Sequence, residues 1–183
     1  MKIPSDAKRV FHGVIFDVYQ WEQEMFDGSK VTFERLKRPS TALVIPVVGK
    51  KVVMAFEEQP MREERLTLLG GRQEEGEDVL STVRRELLEE AGMESDDWEP
   101  FRTYEPVAKM DWQIHVYVAR NCRTVAKQKL DAGERIRLVE FEADEFVDRI
   151  TAPECNEREI SNDLFRMKAN GRLHEFHRIL GIL

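Results

Sequence analysis

The sequence predicts an α/β (α+β) protein, a sandwich of helices around a mixed β-sheet with an antiparallel β-hairpin at its N-terminal end. Three observations carry this. Short β-branched and aromatic runs fill the first 70 residues, one sharply bounded amphipathic helix follows at about residues 78–91, and further strands then give way to helical periodicity up to residue 180. A chain of 183 residues, 42% hydrophobic and 34% charged, is the size of one domain, and residues 1–183 are read as such.

Residues 10–21 are dense in Val, Ile, Phe, Tyr and Trp, and the turn Phe26-Asp27-Gly28-Ser29 separates them from residues 31–36, which predicts the hairpin. Residues 41–48 (TALVIPVV) form an apolar run too short for a typical helix, and Gly49-Lys50 turns it into a second strand at 51–56. Residues 57–65 are polar and interrupted by Pro60, so a loop is expected, with a short strand at 66–69 leading into Gly70-Gly71. Asp78 is placed as the N-cap of the helix, among acidic residues that suit its positive end, and Gly92 as its terminator. Strands are expected at 98–104, 112–119 and 135–141, and a helix at 143–150. Asn156 with Glu159 resembles a capping box for a helix through Lys168, and Gly171 precedes a last helix ending at Leu180. Residues 143–183 are thus a run of helices, and no internal repeat interrupts the chain.

Thirty-five acidic residues against 28 basic ones give a net charge of -7, which argues against nucleic-acid binding. No run approaches the ~18 apolar residues that span a bilayer, and residues 1–10 carry no apolar signal segment. Cys122 and Cys155 lack zinc-type spacing and are too few for a disulfide framework, so both are read as reduced thiols of a cytoplasmic protein. None of His12, His115, His174 and His177 has a convincing partner at metal-ligand spacing, and all four are read as structural.

The chemistry concentrates in the predicted helix. At about 100° per residue, Leu80, Val83, Leu87 and Ala91 make a sheet-packing stripe. Glu86, Glu89 and Glu90 fall on the adjoining face, where Glu86 and Glu90 are a like-charge pair that costs stability unless a cation sits between them. Hard carboxylate oxygens suit Mg²⁺, with Mn²⁺ as substitute, and such ions are commonly shared with substrate phosphates. Arg85 can pair with Glu89 one turn on, and Glu77 lies at the helix entrance, so both are read as supports of the acidic face.

From Gly71 the chain runs Gly, five residues, Glu77, seven residues, Arg85-Glu86-Leu87, one residue, Glu89-Glu90, one residue, Gly92-Met93. This resembles the signature of the Nudix hydrolase superfamily at every specified position. The resemblance implies a Nudix-type α/β/α sandwich and metal-dependent hydrolysis of a nucleoside diphosphate linked to another moiety. It further implies Glu86, Glu90 and the backbone of Gly70 as metal ligands, and Glu89 as an additional acidic contact with a catalytic part. Arg85 is counted with the catalytic set, and Gly71 and Glu77 with its supports.

Outside that signature the chain is similar to the ADP-ribose pyrophosphatase-like branch. The similarity implies a nucleotide-sugar substrate such as ADP-ribose, split to AMP and ribose 5-phosphate. It also implies a homodimer through residues 1–40 and a late acidic loop over the metals. Glu134 in the segment LDAGE is the expected general base or third ligand, with Asp131 as rival and Gly133 permitting closure. Arg62, Arg65 and Arg72 flank the site and are expected to hold phosphates. Other nucleotides within the same reaction class remain alternatives, namely a GDP-sugar, a dinucleoside polyphosphate or a modified nucleoside triphosphate. A non-catalytic nucleotide-binding module is the competing class. Such modules usually lack motif carboxylates, and Glu86, Glu89 and Glu90 are all present here.

Overall fold

The computed structural model describes residues 2–153, 155 and 157–182. In chain order the elements are β1 (Lys8–His12), β2 (Asp17–Glu24), β3 (Lys30–Lys37), β4 (Thr41–Val48), β5 (Lys51–Gln59), β6 (Arg62–Thr67) and β7 (Leu69–Arg72). Next come α1 (Val79–Ala91), β8 (Met93–Glu94), β9 (Asp97–Tyr104), β10 (Met110–Asp111), β11 (Ile114–Arg120), β12 (Arg123–Thr124) and β13 (Arg135–Glu142). Three helices follow: α2 (Ala143–Ile150), α3 (Arg158–Ala169) and α4 (Leu173–Leu180).

The central sheet is mixed, as expected. Its strands run β13-β5-β4-β11-β9, with β6 added to β5 and β7 to β4, and β11 is parallel to β4 while its other pairings are antiparallel. The run TALVIPVV is buried on both faces of this sheet because alternate side chains serve two cores. Val44 joins Val53, Leu69, Val83, Leu87 and Ala91 in a core under α1. Leu43, Ile45 and Val47 join Met54, Phe146, Leu164 and Phe176 in a larger core under α2, α3 and α4. The result is helix, sheet, helix in three layers.

The N-terminal region departs from the expected two-stranded hairpin. Residues 10–21 are not one strand: β1 ends at His12, the backbone turns with the Gly13 N–H donating to Phe16 O at 2.9 Å, and β2 begins at Asp17. With β3 and the short parallel β10, a second, four-stranded sheet results. Part of the apolar density that suggested one hairpin strand belongs to an exposed turn, where Val14 keeps 97% of its surface accessible.

A second departure concerns residues 57–65. Instead of a loop they form the outer part of a hairpin, in which Glu57 lies opposite Arg65 and Gln59 opposite Arg62, and Pro60-Met61 make the turn with Met61 at φ 65°. Their polarity reflects strands that have left the core, and Pro60 sits where no ladder hydrogen bond is required of it. The strand expected at 66–69 is likewise divided, since Thr67 ends β6 against Ala55 and Leu69 starts β7 against Val44. Trp112 precedes β11 rather than opening it.

The termini of α1 form as the residue types dictate. The Asp78 carboxylate accepts from Ser81 N at 2.8 Å, and Gly92 closes the helix in the left-handed region at φ 63°. No acidic residue lies in the first helical turn itself, the acids there being Glu77 and Asp78 ahead of it. The helices expected at 143–150 and up to Lys168 and Leu180 are α2, α3 and α4. Of the expected capping box, Asn156 lies outside the described residues. No helix among the described residues is long and apolar enough to cross a membrane.

Candidate active site

The acidic face of α1 is opposed by β7, and two glycines let the backbone come close. Gly70 sits at φ 137°, and a Cβ there would lie 2.2 Å from Ala42 O, so no side chain is tolerated at this position. At Gly71 a Cβ would fall 2.3 Å from Glu86 Oε1. The carboxylates of α1 therefore lie directly against the strand that precedes the helix.

Glu90 is the most enclosed of them at 7% exposed, and its Oε2 accepts from Gly70 N at 2.7 Å. Burial pushes its pKa up to about 9, Glu86, Glu134 and Glu57 add like-charge repulsion, and the Gly70 N–H opposes the rise. Glu86 is also raised, first by burial, with Arg85 pulling the other way. Glu134 is raised by burial and by Asp131, Glu57 and Glu89.

Arg85 binds this face together. Its Nε donates to Glu77 Oε1 at 2.9 Å and one terminal nitrogen to Glu77 Oε2 at 3.1 Å, a bidentate pair. The other terminal nitrogen donates to Glu86 Oε1 at 2.9 Å and Glu89 Oε2 at 3.1 Å, and a further bond reaches Arg72 O at 3.2 Å. The Arg85 guanidinium holds the Glu77 carboxyl down at about 2, and its own pKa is raised in return. Glu77 supports the site through Arg85, with Thr82 donating to it at 3.0 Å.

A cavity of about 560 Å³ opens over these groups. It is lined by Gly70 and Gly71 of β7, by Arg85, Glu86, Glu89 and Glu90 of α1, by Asp131 and Glu134 ahead of β13, and by Arg62 and Arg72. Arg65 is elsewhere: it lines a separate cavity with Phe56, Leu66, Arg149 and Arg158. Five cavity residues, Ile15, Arg38, Gln59, Glu74 and Lys129, were not anticipated as site residues. Arg38 lies 4.6 Å from the Trp112 ring and 5.7 Å from that of Phe16, its Nε is buried without a partner, and burial followed by Arg72 holds its pKa down. Its signal in the sequence was absent, because Trp112 and Phe16 reach it only through tertiary packing.

The donor set fits a hard divalent cation. Glu57, Glu86, Glu89, Glu90 and Glu134 act on one another as like charges, a cost that a cation between them removes. Among the described residues no three acidic, histidine or cysteine side chains stand in ready-made ligand geometry. The reason is visible in the bonds: Glu86 and Glu89 are turned to Arg85, and Glu90 to the Gly70 amide.

The sequence profile of the NUDIX domain matches residues 37–160, two thirds of the chain. The chain belongs to the Nudix family. The match runs from the end of β3 into α3 and so contains the Nudix helix α1, the glycine turn and the Glu134 loop. Among curated relatives, the chain is 28% identical over 149 residues to a methanol dehydrogenase activator of Bacillus methanolicus, covering 79% of this chain and 74% of the other. It is 26% identical over 137 residues to an ADP-ribose pyrophosphatase of Bacillus subtilis (strain 168), covering 73% and 74%. A crystal structure of an ADP compounds hydrolase superposes with a TM-score of 0.71 at 20% identity, covering 92% of this chain and 95% of that one, which identifies the Nudix fold. This is a Nudix hydrolase with its motif complete.

Proposed function

We propose that the protein hydrolyses the pyrophosphate bond of a nucleoside diphosphate sugar, with ADP-ribose giving AMP and ribose 5-phosphate. The observation that carries this reading is the single cavity in which Glu86, Glu89, Glu90 and Glu134 face Arg62 and Arg72. Glu86, Glu90 and the backbone of Gly70 would hold Mg²⁺, or Mn²⁺ in its place, which would neutralise phosphoryl charge and make a bound water more acidic.

The chain's own groups do the rest. Arg62, Arg72 and the unanticipated Arg38 and Lys129 bind the phosphates from the open side. Arg85 and Glu77 fix the orientation of Glu86 and Glu89 through the bonds described. Glu134 takes the proton of the attacking water, with Asp131 as the alternative acceptor on the same loop. The new bond joins water oxygen to phosphorus, the bridging P–O bond breaks, and the second phosphate leaves with its electron pair.

Residues 1–183 act as one domain in this reading, with residues 1–40 as the extension through which two copies pair. Support comes from the N-terminal sheet, where Val10, Phe11, Val14 and Phe26 are exposed in a single chain. Cys122 and Cys155 are both buried, which suits a reducing cytoplasm. The acidic balance of -7 leaves nucleic acid outside the proposed partners. One relative is named for activating methanol dehydrogenase and the other for cleaving ADP-ribose, so the substrate is to be fixed by a panel. Purified protein with Mg²⁺ or Mn²⁺ is expected to turn over a nucleoside diphosphate sugar, and ADP-ribose among the first. Inactivity on the whole panel would sink the proposal.

A further inference from the structure

Between β6 and β7 the chain changes partner from β5 to β4, and Leu68 is the residue in transit. Its amide belongs to neither ladder. Glu157 supplies the missing acceptor: its Oε1 receives Thr67 Oγ1 at 2.6 Å and Leu68 N at 3.4 Å. Glu157 stands at the N-cap position of α3, where a carboxylate would ordinarily accept from its own helix, yet it makes no such bond. The side chain is turned instead to the strand crossing, where Thr67 and Leu68 are themselves buried. Two residues after Leu68 comes Gly70, which has no room for a side chain and whose N–H meets Glu90.

We propose that Glu157 is a positioning residue for the active site, a carboxylate on the opposite helical layer that fastens the Thr67-Leu68 crossing and thereby sets where Gly70 meets Glu90. Three geometric facts converge on this. The bonded groups are 89 and 90 residues apart in sequence, so no local turn could make the contact. The crossing has few other ties, since the ladders stop at Thr67 on one side and start at Leu69 on the other. Gly70 is packed closely against β4, since a Cβ there would lie 2.2 Å from Ala42 O and 2.8 Å from the Leu43 α-carbon. Among the charges acting on Glu157 are Glu159 and Arg62, and the latter lines the cavity of the candidate site.

The catalytic part of this proposal rests on the pyrophosphatase reading, and the test separates the two. Full-length parent, Glu157→Gln, Glu157→Ala and Thr67→Val are compared by amide hydrogen exchange at Leu68 and Gly70 without metal, by melting temperature, and by kcat and KM on the best substrate of the panel. Glutamine keeps the acceptor oxygen, so Glu157→Gln should stay near the parent. Glu157→Ala and Thr67→Val should speed exchange at Leu68 and Gly70 about tenfold and lower kcat by about 10- to 100-fold with little change in KM. Unchanged exchange at Gly70 in the alanine variant, or parental kcat in a folded Glu157→Ala or Thr67→Val variant, would overturn the proposal, as would a glutamine variant as damaged as the alanine one. If Glu157→Ala does not fold, Thr67→Val removes one bond only and decides the matter. A parent that is inactive on every substrate contradicts the pyrophosphatase reading alone, and the exchange data still decide whether Glu157 holds Gly70.

Discussion

Glu90 carries a conflict between burial and charge that makes its role measurable. Burial moves its pKa from an ordinary 4.5 to about 9, so the folded protein binds this proton more tightly than the unfolded chain does. The resulting stabilisation is complete below about pH 4.5 and is lost as pH rises toward 9, and the raised Glu86 and Glu134 act in the same direction. The melting temperature of the metal-free protein should therefore fall between pH 5 and pH 9, and Glu90→Gln should flatten that slope in the same scan. The same variant should lose about 100-fold or more in turnover, beyond the 10- to 100-fold typical of outer partners of a metal ligand. Neighbouring glycines should respond differently. Gly70→Ala drives a Cβ into the Ala42 carbonyl and should cost about 3 kcal/mol or more by denaturant titration. Gly71→Ala meets only the flexible end of Glu86, so the fold should survive while divalent-cation affinity, read by calorimetry, declines.

Helix α1 is the element most legible in the sequence, and the reason is that its determinants are local. Asp78, Gly92, the stripe Val83-Leu87-Ala91 and the acidic face all follow from spacing along one helix. The hairpin of β5 and β6 was hidden because its polar outer half is specified by pairing across Pro60-Met61 rather than by apolar alternation. The exposed turn between β1 and β2 misled for the opposite reason, since Val14, Ile15 and Phe16 are apolar without being interior. Within α1, Arg85→Ala should separate support from cap. Loss of the bonds to Glu77, Glu86 and Glu89 leaves those carboxylates to repel one another, and kcat should fall about 10- to 100-fold. Asp78→Ala should lower the melting temperature modestly and leave kcat unchanged, because its carboxylate serves only the helix end.

At the scale of the molecule, the α/β/α layering was legible because TALVIPVV announces a strand buried on both faces. The proposed metal side of the site, Glu86, Glu89 and Glu90, could be read from one motif. Of the proposed substrate side only Arg62 and Arg72 could be read from the sequence, since Arg38, Gln59 and Lys129 come from three separate segments and Arg65 lines a different cavity. The exposed N-terminal sheet gives the oligomer prediction: light scattering should return twice the 21.4 kDa chain mass, and Phe11→Asp with Val14→Asp should return the single mass. The most direct test of the central claim is incubation with ADP-ribose and Mg²⁺ in ¹⁸O water, with products identified by mass. The account predicts AMP and ribose 5-phosphate with one ¹⁸O in a phosphate of one product, and neither product from Glu90→Gln on the same timescale. Unlabelled products, or equal turnover by parent and Glu90→Gln, would contradict it.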